Sequence, residues 1–253
     1  MSRIRYRGTL RRVRAKVGKA LADYAMTADG DRLMVAVSGG KDSLALLHIL
    51  ETRKQWIPVT YYLEPVFVSL GEPEDQQRLT VLETIVSSLN LHLQVVKTDI
   101  GYRLRHEPLT EHVCFHCSRW KRQALFNHAR EQGISKIVFG HHRDDILETA
   151  LLNLFYGSNF STMVPHQRLF NNAVSLIRPL AYLDETDVIA YCVHHNLPAN
   201  QPPCPLSGDN QKRMLVRDLL KRLQADNPRV KDSIFHALGN VRRDYLLDVG
   251  RHR

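Results

Sequence analysis

The stretch Leu33-Met34-Val35-Ala36-Val37-Ser38-Gly39-Gly40-Lys41-Asp42-Ser43, running on into Leu44-Ala45-Leu46-Leu47-His48-Ile49-Leu50, decides how this chain folds. The apolar run from Leu33 to Val37 reads as a buried strand, and Leu44 to Leu50 carry helical spacing. Between them Gly39 and Gly40 let the backbone turn tightly and approach a ligand. The helix that follows points its first amides and its partial positive charge at whatever occupies the turn, which suits phosphate. Lys41 adds a full charge, and Ser38 and Ser43 add hydroxyl donors. Asp42 fits if it orients the loop or meets a metal ion. The spacing differs from the GxxxxGK[ST] loop of nucleoside triphosphatases. A plain serine-capped glycine turn is the bland alternative, and the strand–turn–helix context of all six residues outweighs it.

Outward from this segment, short apolar runs alternate with amphipathic stretches. Further strands are expected at 61–70, 91–96, 136–139 and 174–177. Helices are expected at 74–89, 117–132, 144–156 and 184–195. Strands alternating with helices predict an α/β fold with a parallel sheet covered on both faces, which binds ligands at the carboxyl ends of its strands. After Pro198 the pattern changes: Gln201-Pro202-Pro203-Cys204-Pro205 reads as a rigid linker. Two helices rich in Lys and Arg follow at 210–224 and 228–240. The expected organisation is a basic N-terminal helical segment over 1–28, a nucleotide-binding domain over 29–198, and a C-terminal helical extension over 199–253.

With 253 residues and 43% hydrophobic content, the chain has the composition of an ordinary soluble globular protein able to bury a full core. No apolar run is long enough to cross a bilayer, so no membrane partner is expected. The formal charge of +9 points to a polyanionic partner, and is informative only together with a nucleotide site. Arg3, Arg5, Arg7, Arg11, Arg12, Arg14, Lys16 and Lys19 crowd the start of the chain, poor in Ser and without an apolar signal core. They read as a basic helix of a cytoplasmic protein, either solvated or facing nucleic acid.

Two more segments carry chemistry. In Gly140-His141-His142-Arg143-Asp144-Asp145, the adjacent carboxylates of Asp144 and Asp145 after a strand suit Mg²⁺ with ATP phosphates. Asp144 is equally placed to cap the following helix. Arg143 and Arg178 read as phosphate ligands, or as ion-pair partners of neighbouring carboxylates. Cys114-Phe115-His116-Cys117, with Cys204 downstream, is a lone CxxC that suits a redox pair, a zinc half-site or a cluster half-site. Three thiolates leave one iron of a [4Fe-4S] cluster open to a sulfur species. Zinc completed by His112 or His116 is the rival, and two unrelated thiols the bland alternative. Cys192 sits in a helical apolar pattern and reads as core.

Ser38 to Ser43 resembles the pyrophosphatase-loop motif SGGxDS of enzymes that release pyrophosphate and leave AMP on their substrate. Cys114-x-x-Cys117-Ser118-Arg119-x-Lys121-Arg122, Gly140 through Thr149, Leu152-Asn153-Leu154-Phe155-Tyr156-Gly157, Ile177-Arg178-Pro179-Leu180 and Pro203-Cys204 are together similar to the tRNA 2-thiocytidine synthetase family. The resemblance runs in consistent order over the chain after Leu33. It implies a Rossmann-like, adenine nucleotide alpha hydrolase-like domain, and ATP- and cluster-dependent thiolation of an anticodon-loop cytidine at its 2-position. Carried over by position, Cys114, Cys117 and Cys204 would hold the cluster. Ser38, Gly39, Gly40, Lys41, Asp42 and Ser43 would bind the nucleotide, together with Gly140, His142, Arg143 and Arg178. Lys121 and Asp145 match positions that related thiolases place near the reacting carbonyl, joining Lys41 and Asp42 as catalytic residues.

The cofactors implied are ATP, Mg²⁺ and the cluster. The partners are tRNA and a cysteine desulfurase or other sulfur donor, with a homodimer left open. For tRNA, the N-terminal arginines and Lys212, Arg213, Arg217, Lys221 and Arg222 would meet the backbone, and aromatic residues between Tyr102 and Phe115 would supply stacking. Two departures from the family pattern stand out. Ser207 takes the place of a second cysteine before Gly208, and the segment 65–75 is short and unusual in composition. The second departure motivates an alternative in which another base or a small substrate is thiolated. A non-catalytic, metal-bearing RNA-binding module is the remaining reading, opposed by the intact Lys41, Asp42, Asp144 and Asp145.

Overall fold

The computed structural model describes residues 3–109, 113–198 and 211–247. Two compact units divide the chain. One holds the described residues up to Asp144 and those from Val164 to 198; the other holds Asp145–Met163 and the described residues from 211 onward.

The first unit is built on a six-stranded sheet: β1 (Asp31–Ala36), β2 (Tyr61–Ser69), β3 (Gln94–Lys97), β4 (Lys136–Val138), β5 (His166–Leu169) and β6 (Val174–Ile177), in the order β3-β2-β1-β4-β6-β5. All neighbours pair in parallel except β5, which runs antiparallel to β6 at the edge, with His166 opposite Ile177. The strand expected at 174–177 is present as β6, but its partner β5 is absent from the sequence-based expectation: His166-Gln167-Arg168-Leu169 has no apolar run, because an edge strand with a single neighbour need not be apolar on both faces.

Period-two alternation assigns each strand's side chains to two cores. Leu33, Val35, Val37, Tyr61, Leu63, Phe67, Val138 and Ile177 face one layer. Met34, Val66, Val68, Ile137, Val174 and Leu176 face the other. The first layer is closed by α1 (Arg3–Asp23), α2 (Lys41–Arg53), α3 (Glu74–Ser88) and α7 (Glu185–His194). The second is closed by α4 (Ile100–His106), a helix not expected from the sequence, and α5 (Val113–Glu131). Each large apolar side chain so buried contributes roughly 1.5–3 kcal/mol.

Helix α1 buries Val13, Val17, Ala20 and Leu21 at helical spacing while Arg11, Arg12, Arg14 and Lys19 stay at the surface. Two of its cations are structural. Arg12 and Lys16 reach Asp187 of α7 at 2.7 and 3.1 Å. Burial opposes the charge on Asp187, but these partners outweigh it and hold its carboxyl below the usual range.

Helix α6 (Arg143–Tyr156) begins in the first unit and continues in the second, which also contains α8 (Gln211–Asp226) and α9 (Val230–Gly239). Leu147, Val216 and Leu220 form the second unit's core, with Leu151, Leu152, Ile234, Phe235 and Leu238 packed around them. Within this core Glu148 is 2% exposed and meets Arg217 at 2.5 Å and Arg213 at 3.3 Å. Burial nevertheless pushes the Glu148 pKa up, with Asp145 adding to the effect. Two arginines expected to meet RNA backbone are therefore engaged by a buried carboxylate. Among the described residues no helix is long and apolar enough to cross a membrane.

Candidate nucleotide and thiol site

The loop after β1 owes its shape to its own small residues. Gly39 has φ +83°, a conformation that residues with a Cβ rarely adopt. Ser43, 6% exposed, donates its hydroxyl to the Gly40 carbonyl (2.9 Å) and accepts the Ser38 amide (3.1 Å). The same hydroxyl lies 3.3 Å from that of Ser38, so the two serines expected to meet phosphate are joined within the loop. Ser38 stays exposed, with its hydroxyl 3.3 Å from the Gly40 amide. Gly40 is the N-cap of α2, so that helix opens at Lys41 directly behind the turn.

The segment after β4 closes on this loop. A Cβ at Gly140 would lie 2.9 Å from the Asp42 carbonyl carbon and oxygen and 3.0 Å from the Ser43 amide nitrogen, so backbone meets backbone there. His142 is 2% exposed and stands 3.8 Å from both the Asp42 and the Asp144 carboxylates. Asp144 accepts the Glu185 amide at 2.7 Å and so caps α7, while lying inside α6 rather than ahead of it. Arg143 grips Asp184, the N-cap of α7, with Nε and Nη2 at 2.8 and 2.7 Å. The ion pair expected of Arg143 is present, in the bidentate geometry that suits a guanidinium. Asp145 is half-buried and belongs to the second unit.

Lys41 lies between Glu185 (2.8 Å) and Asp42 (3.1 Å). Burial disfavours its charge, but these carboxylates prevail and its pKa stands above the usual lysine value. Glu185 and Asp184 were missed by sequence reasoning because acidic residues at a helix start are ordinary caps. Cys192 is fully buried, with its thiol 3.5 Å from the Lys41 carbonyl and its pKa pushed up by burial to about 11.

Arg178, directly after β6, is 5% exposed. Its Nη1 donates to the Val164 carbonyl at 2.6 Å, and its Nε is buried without a hydrogen-bond partner. No carboxylate among the described residues pairs with it. Burial, then the charge of Arg122, push its pKa down to about 10. It remains charged at neutral pH and is held without a counterion, which suits an anion at the carboxyl end of the sheet.

Helix α5 brings the thiols to the same end. The Gly101 amide of α4 bonds the Leu70 carbonyl beyond β2 (2.8 Å), whereas the Gln132 carbonyl after α5 accepts from Arg32 at the start of β1 (2.9 Å). The chain from β3 through α4 therefore starts at the carboxyl ends of the strands, and α5 returns it to their amino ends. Cys114, Cys117 and Lys121 follow one another at spacings of three and four along α5 and share one face. Cys114 is exposed, and Cys117 and Lys121 are half-buried.

Residues 10–222 match the PP-loop domain model of the ATP_bind_3 family. The tRNA-cytidine(32) 2-sulfurtransferase of Geotalea uraniireducens (strain Rf4) is 38% identical over 239 residues, 94% of each chain. That of Geobacter sulfurreducens is 37% identical over 252 residues, 99% of this chain and 96% of the other. The chain belongs to the tRNA-cytidine 2-sulfurtransferase family of PP-loop enzymes. In fold it is similar to the U34-tRNA thiolase NcsA of Methanococcus maripaludis, solved with its [4Fe-4S] cluster, at a TM-score of 0.80 and 21% identity over 97% of this chain and 82% of that one.

Seen as a member of that family, the thiol helix has a donor set that fits iron: two soft thiolate donors one helical turn apart on an accessible face. Cys204 and Ser207 lie outside the described residues, as does His112. His116 turns its ring toward Phe115 and Trp120, at 5.6 and 5.4 Å between centroids. Among the described residues no group of three His, Cys, Asp or Glu side chains is assembled for a metal ion. One carboxylate oxygen of Asp144 accepts the Glu185 amide, so a magnesium ion there would share this carboxylate with the start of α7.

Proposed function

We propose that this enzyme converts an anticodon-loop cytidine of tRNA, the position-32 base that names its relatives, to 2-thiocytidine through an adenylated intermediate. The observation that carries this reading is the pairing of two features at one end of the sheet: the loop carrying Lys41, and the α5 face bearing Cys114, Cys117 and Lys121.

The 2-oxygen of the base attacks the α-phosphorus of ATP, and the bond to the bridging oxygen breaks. Pyrophosphate departs toward Lys41 and the first amides of α2, where fixed positive charge meets the charge that develops. Arg178 holds the adenylyl phosphate, an anion its burial without a carboxylate favours. The former base oxygen now belongs to AMP, a far better leaving group. A sulfur nucleophile forms a bond to C2, the C2–O bond breaks, and Lys121 neutralises charge growing on the departing AMP. A cluster held by Cys114, Cys117 and Cys204 would supply a position that binds and delivers sulfur obtained from a cysteine desulfurase or another donor. Asp42 positions Lys41 and stands beside His142. Thiolate ligands persist in a reducing compartment, so a cytoplasmic setting goes with this reading.

Anaerobically purified, cluster-loaded protein incubated with a tRNA transcript, ATP and inorganic sulfide tests the proposal by nucleoside mass spectrometry. The expected product is 2-thiocytidine, with one AMP and one pyrophosphate per sulfur. Production of 2-thiouridine alone would move the target to another base, and loaded enzyme that forms no thionucleoside would overturn the reading.

A further inference from the structure

Helix α5 carries a second stripe beside the thiol face. Phe115, Arg119 and Arg122 recur at spacings of four and three, roughly 100° around the helix from Cys114, Cys117 and Lys121. All three are exposed, Phe115 by 49%. The Phe115 ring meets His116 edge-on at 5.6 Å and leaves about half its surface open to a stacking partner. Its neighbours on the stripe are cationic, and among the described residues no carboxylate pairs with Arg119, Lys121 or Arg122. On the adjoining α4 the opposite holds: Arg103 meets Glu107 and Arg105 meets Glu72, each at 2.6 Å. The stripe begins with Phe115 in the first turn of α5, at the carboxyl end of the sheet.

Single-stranded RNA is recognised by this combination, a ring for a base and cations for the flanking phosphates. We infer that Phe115, Arg119 and Arg122 form the anticodon-loop contact, Phe115 stacking on a base next to the reacting cytidine and the two arginines holding its backbone. The inference rests on the thiolation reading and narrows the stacking expected between Tyr102 and Phe115 to Phe115, flanked by two arginines the sequence reading did not assign to RNA. The charge pattern also opposes a second copy of the chain as the occupant. A two-fold contact would set the same arginines against one another.

The test uses a labelled anticodon stem-loop RNA containing cytidine 32, with binding read by fluorescence anisotropy for the wild type, Phe115→Ala, Phe115→Tyr and Arg119→Ala. Iron content and ATP affinity are measured on the same preparations. Phe115→Ala is expected to weaken RNA binding about 5- to 100-fold. Phe115→Tyr keeps binding within about twofold, because the ring face is retained. Arg119→Ala reduces the slope of log affinity against log salt by about 0.7, the loss of one phosphate contact on a single strand. ATP affinity and iron per chain stay unchanged in all of them. Wild-type binding matched by both alanine variants overturns the stripe alone. So does a loss of RNA affinity that tracks a loss of iron, which would give Phe115 to the thiol turn. A change in oligomeric mass with RNA binding intact makes the stripe a contact between copies and also overturns it. A wild type that binds no stem-loop RNA brings down the thiolation reading and the stripe with it.

Discussion

The loop Ser38–Ser43 and the first turns of α5 open at the same end of one sheet and are built on opposite plans. The loop is over-determined: Gly39 has a φ that suits glycine, Ser43 is buried in hydrogen bonds to its own backbone, and Gly140 leaves no room for a methyl group. Lys41 is oriented by two carboxylates. On α5 the exposed stripe carries local bonds such as Ser118 to the Phe115 carbonyl and Arg122 to the Ser118 carbonyl, while Cys117 packs against the second core. The fold itself preorganises the nucleotide end, while the thiol end is an accessible surface. Substitutions in the first region should disturb structure and ATP binding together, and those in the second should disturb thiolation or RNA binding while ATP affinity holds.

The largest effects should separate the two most cleanly. Cys117→Ala is expected to remove thiolation by at least about 1,000-fold while ATP affinity and melting temperature hold. Lys41→Ala should lower turnover by roughly 100- to 1,000-fold, the loss typical of one fixed charge-stabilising group, and weaken ATP binding as well. Parallel calorimetric ATP titrations and thiolation assays check both. Equal loss of ATP affinity in the two variants would erase the distinction.

Gly140→Ala examines the over-determined side without touching a charge. A Cβ 2.9 Å from the Asp42 backbone must displace the loop. Overpacking of this kind costs about 1–3 kcal/mol, which for a chain of this size lowers Tm by roughly 2–12 °C, with ATP affinity falling alongside. Scanning calorimetry with and without ATP measures it, and an unshifted Tm would mean that the loop is looser than its contacts imply.

Much of this division was legible in the sequence. Leu33 to Val37 and the glycines announced strand, turn and helix because burial on both faces leaves an unbroken apolar run. The helix expected over 117–132 begins at Val113 instead, so the stripe that joins Cys114 to Cys117 and Lys121 emerges only in the structure. The edge strand β5 and the short helix α4 were not legible, having respectively one strand neighbour and less than two full turns to impose a pattern. Nor were the partners of the site residues. That Arg143 belongs to Asp184, that Asp144 caps α7 rather than α6, and that Arg213 and Arg217 serve Glu148 depend on contacts far apart in the chain, which no local pattern encodes. Arg178 was singled out in the sequence as a phosphate ligand or an ion-pair partner, and its burial without a carboxylate among the described residues appears only in three dimensions.

A smaller effect should come from behind α2, the helix that carries the loop. His48 bonds the Tyr191 hydroxyl at 2.7 Å, and His195 packs at a tilt against both rings, with centroids 4.4 and 4.5 Å away. Burial, with the charges of His48, His194 and Arg14, lowers the His195 pKa to about 4. The folded state therefore favours neutral His195. That contribution is fully present above about pH 6.5, where the unfolded histidine is also neutral, and is lost as pH falls toward 4 and the unfolded chain takes up the proton first. With His195 half-exposed, the loss is about 1–2 kcal/mol after screening. His195→Gln should flatten urea-denaturation stability between pH 6.5 and 4, and an unchanged slope would assign the acid sensitivity to other groups.

The central claim, that the fixed loop and the open helix act in sequence on one base, is tested most directly by the fate of one oxygen. A tRNA bearing ¹⁸O at the 2-position of cytidine 32, thiolated in a single turnover, should deliver that label to AMP, which mass spectrometry would find heavier by two mass units. Unlabelled AMP alongside newly formed 2-thiocytidine would contradict adenylation of the base oxygen, and with it the division of labour between the loop and α5.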